Sequence, residues 1–179
     1  MSEQTFDFES RIVDIPDYPE PGVVFKDVTP LFDDPEGLRA AVDAIAGRFE
    51  GRGVTKVLGA EARGFLIGAP VAYRLGCGFV PARKPGKLPR AVYRQSYELE
   101  YGTDELQVHR DSMGPGDRVL VVDDLVATGG TAVAQARLAE QTGAEVVGFA
   151  FILELGFLSP REVIARDYDQ EVFSLVTVR

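Results

Sequence analysis

One thirteen-residue string, Val119-Leu120-Val121-Val122-Asp123-Asp124-Leu125-Val126-Ala127-Thr128-Gly129-Gly130-Thr131, constrains this chain more than any other feature. Four consecutive apolar residues read as a strand buried on both faces. Two carboxylates stand at its carboxyl end, and a small Thr/Gly turn then leads into a helix. In open α/β sheets ligands bind at the carboxyl ends of strands. Such a turn lets several backbone N–H groups converge on one anion. The helix N-terminus adds partial positive charge, and the hydroxyls of Thr128 and Thr131 can donate as well. This combination suits a terminal phosphate. Asp123 and Asp124 would repel a phosphate beside them. They read as acceptors for sugar hydroxyls, or as partners through water of a hydrated Mg²⁺. Together the turn and the acids describe a site for a phosphorylated ribose. The string has neither the Gly-Lys-Ser/Thr ending of a Walker A loop nor a G-x-G-x-x-G fingerprint.

The surrounding sequence alternates helices and strands. Asp34-Pro35 reads as a helix start, Asp as N-cap and Pro at the first helical position. Leu38, Val42, Ile45 and Phe49 continue it as one buried stripe that stops at Gly51 and Gly53. Val57–Ala60 reads as a short buried strand. Phe65–Leu75 follows as a helix ended by Gly76, and Phe79–Pro81 as another strand. Thr131–Thr142 reads as a helix, Val146–Leu153 as a long buried strand, and Val172–Val178 as an alternating one. Strands hydrophobic throughout and separated by helices imply one α/β domain with a mostly parallel sheet, spanning residues 1–179.

Composition narrows the function. Nineteen basic residues against 28 acidic ones leave a net charge of −9, which disfavours nucleic acid and anionic membrane as partners. The apolar stretches Gly64–Tyr73 and Val146–Leu153 fall short of a membrane span of about 20 residues. Cys77 is the only cysteine, so no intrachain disulfide can close, which fits a reducing compartment. The opening MSEQTFDFES is acidic and polar, unlike a secretory signal. A cytoplasmic protein is expected.

Residues 83–105 depart from the α/β pattern. They are polar, aromatic and punctuated by Pro and Gly, with Tyr93, Tyr97 and Tyr101 four apart, and read as a functional loop or an extended hairpin. Arg83, Lys84, Lys87, Arg90 and Arg94 fall within 12 residues free of acid. The lone His109 reads as a surface or interface strand position. Cys77 reads as a small buried filler with no activating cation close in sequence.

The string VLVVDDLVATGGT closely resembles the phosphoribosyl-diphosphate-binding signature of the type I phosphoribosyltransferases. Pro21–Asp27 (PGVVFKD), Gly59–Phe65 (GAEARGF) and Leu99–Gly102 (LEYG) resemble segments of the adenine phosphoribosyltransferases, in the same order. The resemblance runs from about Ile15 to Leu155. It implies the type I phosphoribosyltransferase fold, with a small N-terminal hood over about 1–33 and a mobile lid over 83–105. It also implies a homodimer and a purine-salvage reaction, in which adenine and 5-phosphoribosyl 1-diphosphate give AMP and pyrophosphate with Mg²⁺ required. That Mg²⁺ would be bound mainly through substrate and water, with no direct protein ligand.

The resemblance also implies roles. Asp123 and Asp124 would hold the ribose hydroxyls, and Ala127, Thr128, Gly129, Gly130 and Thr131 would wrap the 5′-phosphate. Glu61, Ala62, Arg63 and Gly64 would form the pyrophosphate loop, Arg63 offering a bidentate fork and Gly64 allowing close backbone approach. Arg83, Lys84 and Lys87 of the lid would add charge toward pyrophosphate, and Arg63 would also act in catalysis. Glu100 would stabilise the proton on the adenine ring, because Ala127 stands where 6-oxopurine enzymes carry an acid. Val24, Phe25 and Lys26 would form the adenine pocket, with Phe25 stacking and the main chains of Val24 and Lys26 reading the base edge. Tyr101 would line that pocket or the lid hinge. Two other readings of the same residues are a transferase for another base and a non-catalytic regulator that senses phosphoribosyl diphosphate.

Overall fold

The computed structural model describes residues 6–98 and 102–179. The chain opens on an antiparallel pair, β1 (Val13–Pro16) and β2 (Val24–Asp27), followed by the short helix α1 (Thr29–Asp33). Helix α2 (Pro35–Phe49) starts as its sequence requires: the Asp34 side chain accepts the Glu36 N–H, and Pro35 occupies the first turn. Strand β3 (Lys56–Ala60), helix α3 (Arg63–Leu75) and strand β4 (Gly78–Ala82) make the first parallel crossover. A hairpin, β5 (Val92–Glu98) and β6 (Thr103–His109), separates it from β7 (Arg118–Val126). Helix α4 (Gly130–Gln141), strand β8 (Glu145–Leu155), helix α5 (Pro160–Ile164) and strand β9 (Val172–Val178) complete the fold.

The five central strands run parallel in the order β4-β3-β7-β8-β9. Alternation along β7 explains its unbroken apolar run. Leu120 and Val122 face one core, built from α2 and α3 with Ile45, Phe49, Ile67 and Val71. Val119 and Val121 face the other, built from α4 and the hairpin with Leu106, Val108 and Leu138. Both sheet faces are covered, as the sequence implies.

Several boundaries differ from the sequence reading. β7 runs on to Val126, because Asp123, Leu125 and Val126 keep their register with Phe151, Leu153 and Glu154 of β8. Helix α3 begins at Arg63 rather than Phe65, and α4 at Gly130 rather than Thr131. Residues 92–109 form a hairpin with a core side: Leu106 and Val108 are buried, and Tyr93 and Tyr97 pack against the same core. Cys77 is half-buried beside the α2/α3 core, where burial pushes its thiol pKa up and the nearby Lys56 charge opposes this only in part. His109 ends β6 opposite Val92.

Candidate active site

The site gathers at the carboxyl ends of the adjacent strands β3 and β7. At the end of β7 the two acids differ in surroundings. Asp123 opens into the cavity, its Oδ1 accepting the Asp124 N–H at 2.9 Å and its Oδ2 accepting from Nε2 of Gln135 at 3.3 Å. Burial, and next the carboxylate of Asp124, hold its pKa well above the usual carboxylate range. Asp124 is only 3% exposed, and its Oδ2 lies 2.8 Å from Nε of Arg63. That contact is an ion pair lacking hydrogen-bond alignment, so Oδ2 keeps an unused acceptor site.

The Ala127–Thr131 turn follows. Gly129 caps α4 with φ 92°, in the left-handed region, and a β-carbon there would lie 2.9 Å from the carbonyl oxygen of Pro160. Both the backbone angle and the packing therefore require glycine. The twelve-residue helix α4 starts at the cavity, which Gly129, Thr131 and Ala132 line, so its unpaired N–H groups and positive dipole end lie at that wall.

At the end of β3, Glu61 and Ala62, joined by a cis peptide bond, lead into Arg63 at the start of α3. The Arg63 guanidinium lies 5.8 Å from the ring centre of Phe25 on β2, which ties the N-terminal pair to the site. Glu61 holds Arg83 at 2.7 Å. Lys84 pairs with Asp104 and donates to the Tyr97 hydroxyl at 3.2 Å. Burial works against charge on Lys84, but Asp104 and Tyr97 outweigh it and raise its pKa; the same pairing lowers that of Asp104 against its own burial.

These elements enclose a cavity of about 390 Å³. Of the residues expected there, Glu61, Ala62, Arg63, Lys84, Asp123, Asp124, Ala127, Thr128, Gly129 and Thr131 line it. Gly64 does not: it is buried beneath Asp123, and a β-carbon there would sit 2.8 Å from Asp123 Oδ1, so the close approach it permits is to that carboxylate. Gly130 stands behind the turn, against the Glu98 carbonyl. Arg83 is paired with Glu61, and Lys87 is exposed; neither lines the cavity. On β2, Val24 is exposed, Phe25 meets Tyr18 edge-on at 5.3 Å, and the Lys26 ammonium is held by Asp14 at 2.7 Å. Glu100 and Tyr101 lie outside the described residues. The sequence reading passed over Tyr97, Leu106, Leu125, Phe151 and Leu158, which are among the further residues that line it. Of these only Tyr97, within its four-spaced tyrosine row, and Leu125, inside the central string, carried a signal.

A family model described as "Phosphoribosyl transferase domain" matches residues 27–175. An adenine phosphoribosyltransferase of Desulfitobacterium hafniense is 55% identical over 173 residues, covering 97% of this chain and 98% of that protein. Among solved structures, the adenine phosphoribosyltransferase of Thermoanaerobacter pseudethanolicus superposes with a TM-score of 0.89 at 46% identity, over 96% of this chain and 98% of that one. The Saccharomyces cerevisiae enzyme, complexed with an imino-altritol bisphosphate and adenine, superposes with a TM-score of 0.87 at 35% identity, over 94% and 96% of the two chains.

Proposed function

The chain belongs to the adenine phosphoribosyltransferases of the phosphoribosyltransferase family, and on that premise we propose that it converts adenine and 5-phosphoribosyl 1-diphosphate to AMP and pyrophosphate in purine salvage. One observation carries the reading: two acids, an anion-binding turn and the Glu61–Arg63 segment share one cavity at neighbouring strand ends.

Each part of the substrate has a matching group. The Ala127–Thr131 turn takes the 5′-phosphate on backbone N–H groups and the Thr128 and Thr131 hydroxyls. Asp123 and Asp124 accept from the ribose hydroxyls. Arg63 and Lys84 face the pyrophosphate. The new bond joins adenine N9 to C1′ as the bond from C1′ to pyrophosphate breaks. Positive charge develops on the ribosyl ring, and negative charge collects on the leaving group, where the cations stabilise it. The imidazole proton of adenine sits at N7 as N9 attacks C1′ and must leave as AMP forms. Glu100 is assigned the carboxylate that stabilises it at N7 and passes it on to pyrophosphate or solvent. Phe25, beside Arg63, is assigned to the base.

The donor set fits Mg²⁺. Asp123 and Asp124 offer hard oxygen atoms, and Oδ2 of Asp124 has an unused acceptor site. Among the described residues no group of three or more His, Cys, Asp and Glu could hold a metal by itself. The two acids would therefore hold a hydrated ion through water, with substrate oxygens completing its shell. When bound, it would neutralise charge on the departing pyrophosphate.

The homodimer is part of the same proposal. Leu66, Ala69 and Tyr73 follow one another at spacings of three and four on α3, and all are exposed, Leu66 by 50% and Tyr73 by 89%. This apolar stripe suits a second copy of the chain. A cytoplasmic setting is proposed from the cysteine usage. Among the described residues no helix is long and apolar enough to cross a membrane.

The test is pyrophosphate release from phosphoribosyl diphosphate and Mg²⁺, with adenine, hypoxanthine, guanine and uracil offered separately. Release with adenine alone is expected. Release with another base would overturn the base assignment. Tight binding without release for any base would replace the enzyme with a sensor.

A further inference from the structure

A buried amide stands behind the ribose-facing carboxylate, and the reaction as described does not use it. Gln135 lies on α4 among Ala132, Val133, Ala136 and Ala139, and it is 0% exposed. Among the described residues its Oε1 has no hydrogen-bond partner, while its Nε2 donates to Oδ2 of Asp123 at 3.3 Å. An amide buried with an unpaired oxygen is destabilising. A leucine or methionine would fill the same space without that penalty, so packing does not explain a glutamine here.

Geometry supplies the explanation. The carboxylate torsion of an aspartate is intrinsically broad. At Asp123 one end is fixed: Oδ1 takes the Asp124 N–H at 2.9 Å and lies against Gly64. The other end, Oδ2, has Gln135 as its hydrogen-bond donor among the described residues. We propose that Gln135 is a positioning residue, fixing the plane of the Asp123 carboxylate so that it meets the ribose hydroxyls. The inference rests on the reading of Asp123 as the ribose acceptor. Gln135 itself stands one shell behind the substrate and acts only through Asp123.

Calorimetric binding of AMP and of 2′,3′-dideoxy-AMP to wild type and Gln135→Met tests both levels, with Gln135→Leu as a second variant if the first folds poorly. Wild type should bind AMP at least about tenfold more tightly than the dideoxy nucleotide. Gln135→Met should weaken AMP about three- to tenfold, the worth of one hydrogen bond to a charged group, and leave the dideoxy nucleotide within about twofold. Equal weakening of both nucleotides, or an unchanged AMP preference, overturns the role of Gln135. No AMP preference in wild type would instead remove the ribose assignment of Asp123, and the inference with it.

Discussion

Gly64 and Asp123, 59 positions apart, meet where β7 passes the first turn of α3: a β-carbon on Gly64 would lie 2.8 Å from Oδ1 of Asp123. The two loops of the site are thus packed directly on each other through a carboxylate. The shape of one fixes the other.

Gly64→Ala tests that packing. The backbone of Gly64 is helical, so alanine would gain about 1 kcal/mol of helix propensity in the absence of a clash. Overpacking of this kind typically costs about 1–3 kcal/mol and moves the neighbour. The net expectation is a small loss of stability, with kcat/KM down at least about tenfold as Asp123 is displaced. Urea unfolding and steady-state kinetics check both. A variant as active as wild type would show that Asp123 has room to yield.

Glu154 links the sheet to the helix behind the phosphate turn. It is 3% exposed on β8, paired with Arg161 of α5 at 2.7 Å and accepting from the Ser174 hydroxyl on β9 at 2.7 Å. Burial raises its pKa, but Arg161 and Ser174 outweigh burial, so the net shift is downward from 4.5. The stabilisation is therefore complete above pH 4.5 and is lost as pH falls through the lower folded value. Glu154→Gln should be less stable at neutral pH, by about 2 kcal/mol after allowing for the half-exposed Arg161. It should also lose less additional stability on acidification. Unfolding curves between pH 7 and pH 3 measure this; parallel curves would refute it.

Tyr73 tests the second copy. A charge at an 89% exposed position leaves a lone chain unharmed but is buried if α3 pairs with its counterpart. Tyr73→Glu should convert a dimer to a monomer by sedimentation at micromolar concentration. A variant that remains dimeric would move the interface off this helix, and a wild-type monomer would refute the dimer.

How much of this was legible beforehand depends on the sequence distance each feature spans. Buried strands and capped helices are local patterns, and Val119–Val122 or Asp34-Pro35 declares them directly. The extension of β7 through Asp123 and Asp124 was hidden because acids are rare in strands, and only pairing with Phe151 and Leu153 keeps them there. The hairpin stands as only one of two readings of its sequence because its inward residues, Tyr93, Tyr97, Leu106 and Val108, are diluted by Arg, Gln, Ser and Glu. The ion pair from Arg63 to Asp124 joins residues 61 positions apart, and no spacing rule reaches that far. The hold of Asp14 on Lys26 depends likewise on the register of β1 against β2. The sequence announced the two acids, the turn after them and Arg63. Only the fold shows which of them hold one another.

On the proposed function, the carboxyl end of β7 holds the ribose while its turn holds the phosphate. Turnover of adenine and phosphoribosyl diphosphate by wild type and the Asp123→Asn/Asp124→Asn double variant tests it most directly. Asparagine keeps the shape; at 123 it removes a like-charge repulsion and at 124 it gives up the ion pair with Arg63, so thermal unfolding is measured alongside to show that the variant folds. AMP formation should fall at least about 100-fold, the worth of two charge-assisted hydrogen bonds. A double variant that folds and makes AMP at the wild-type rate would contradict the account.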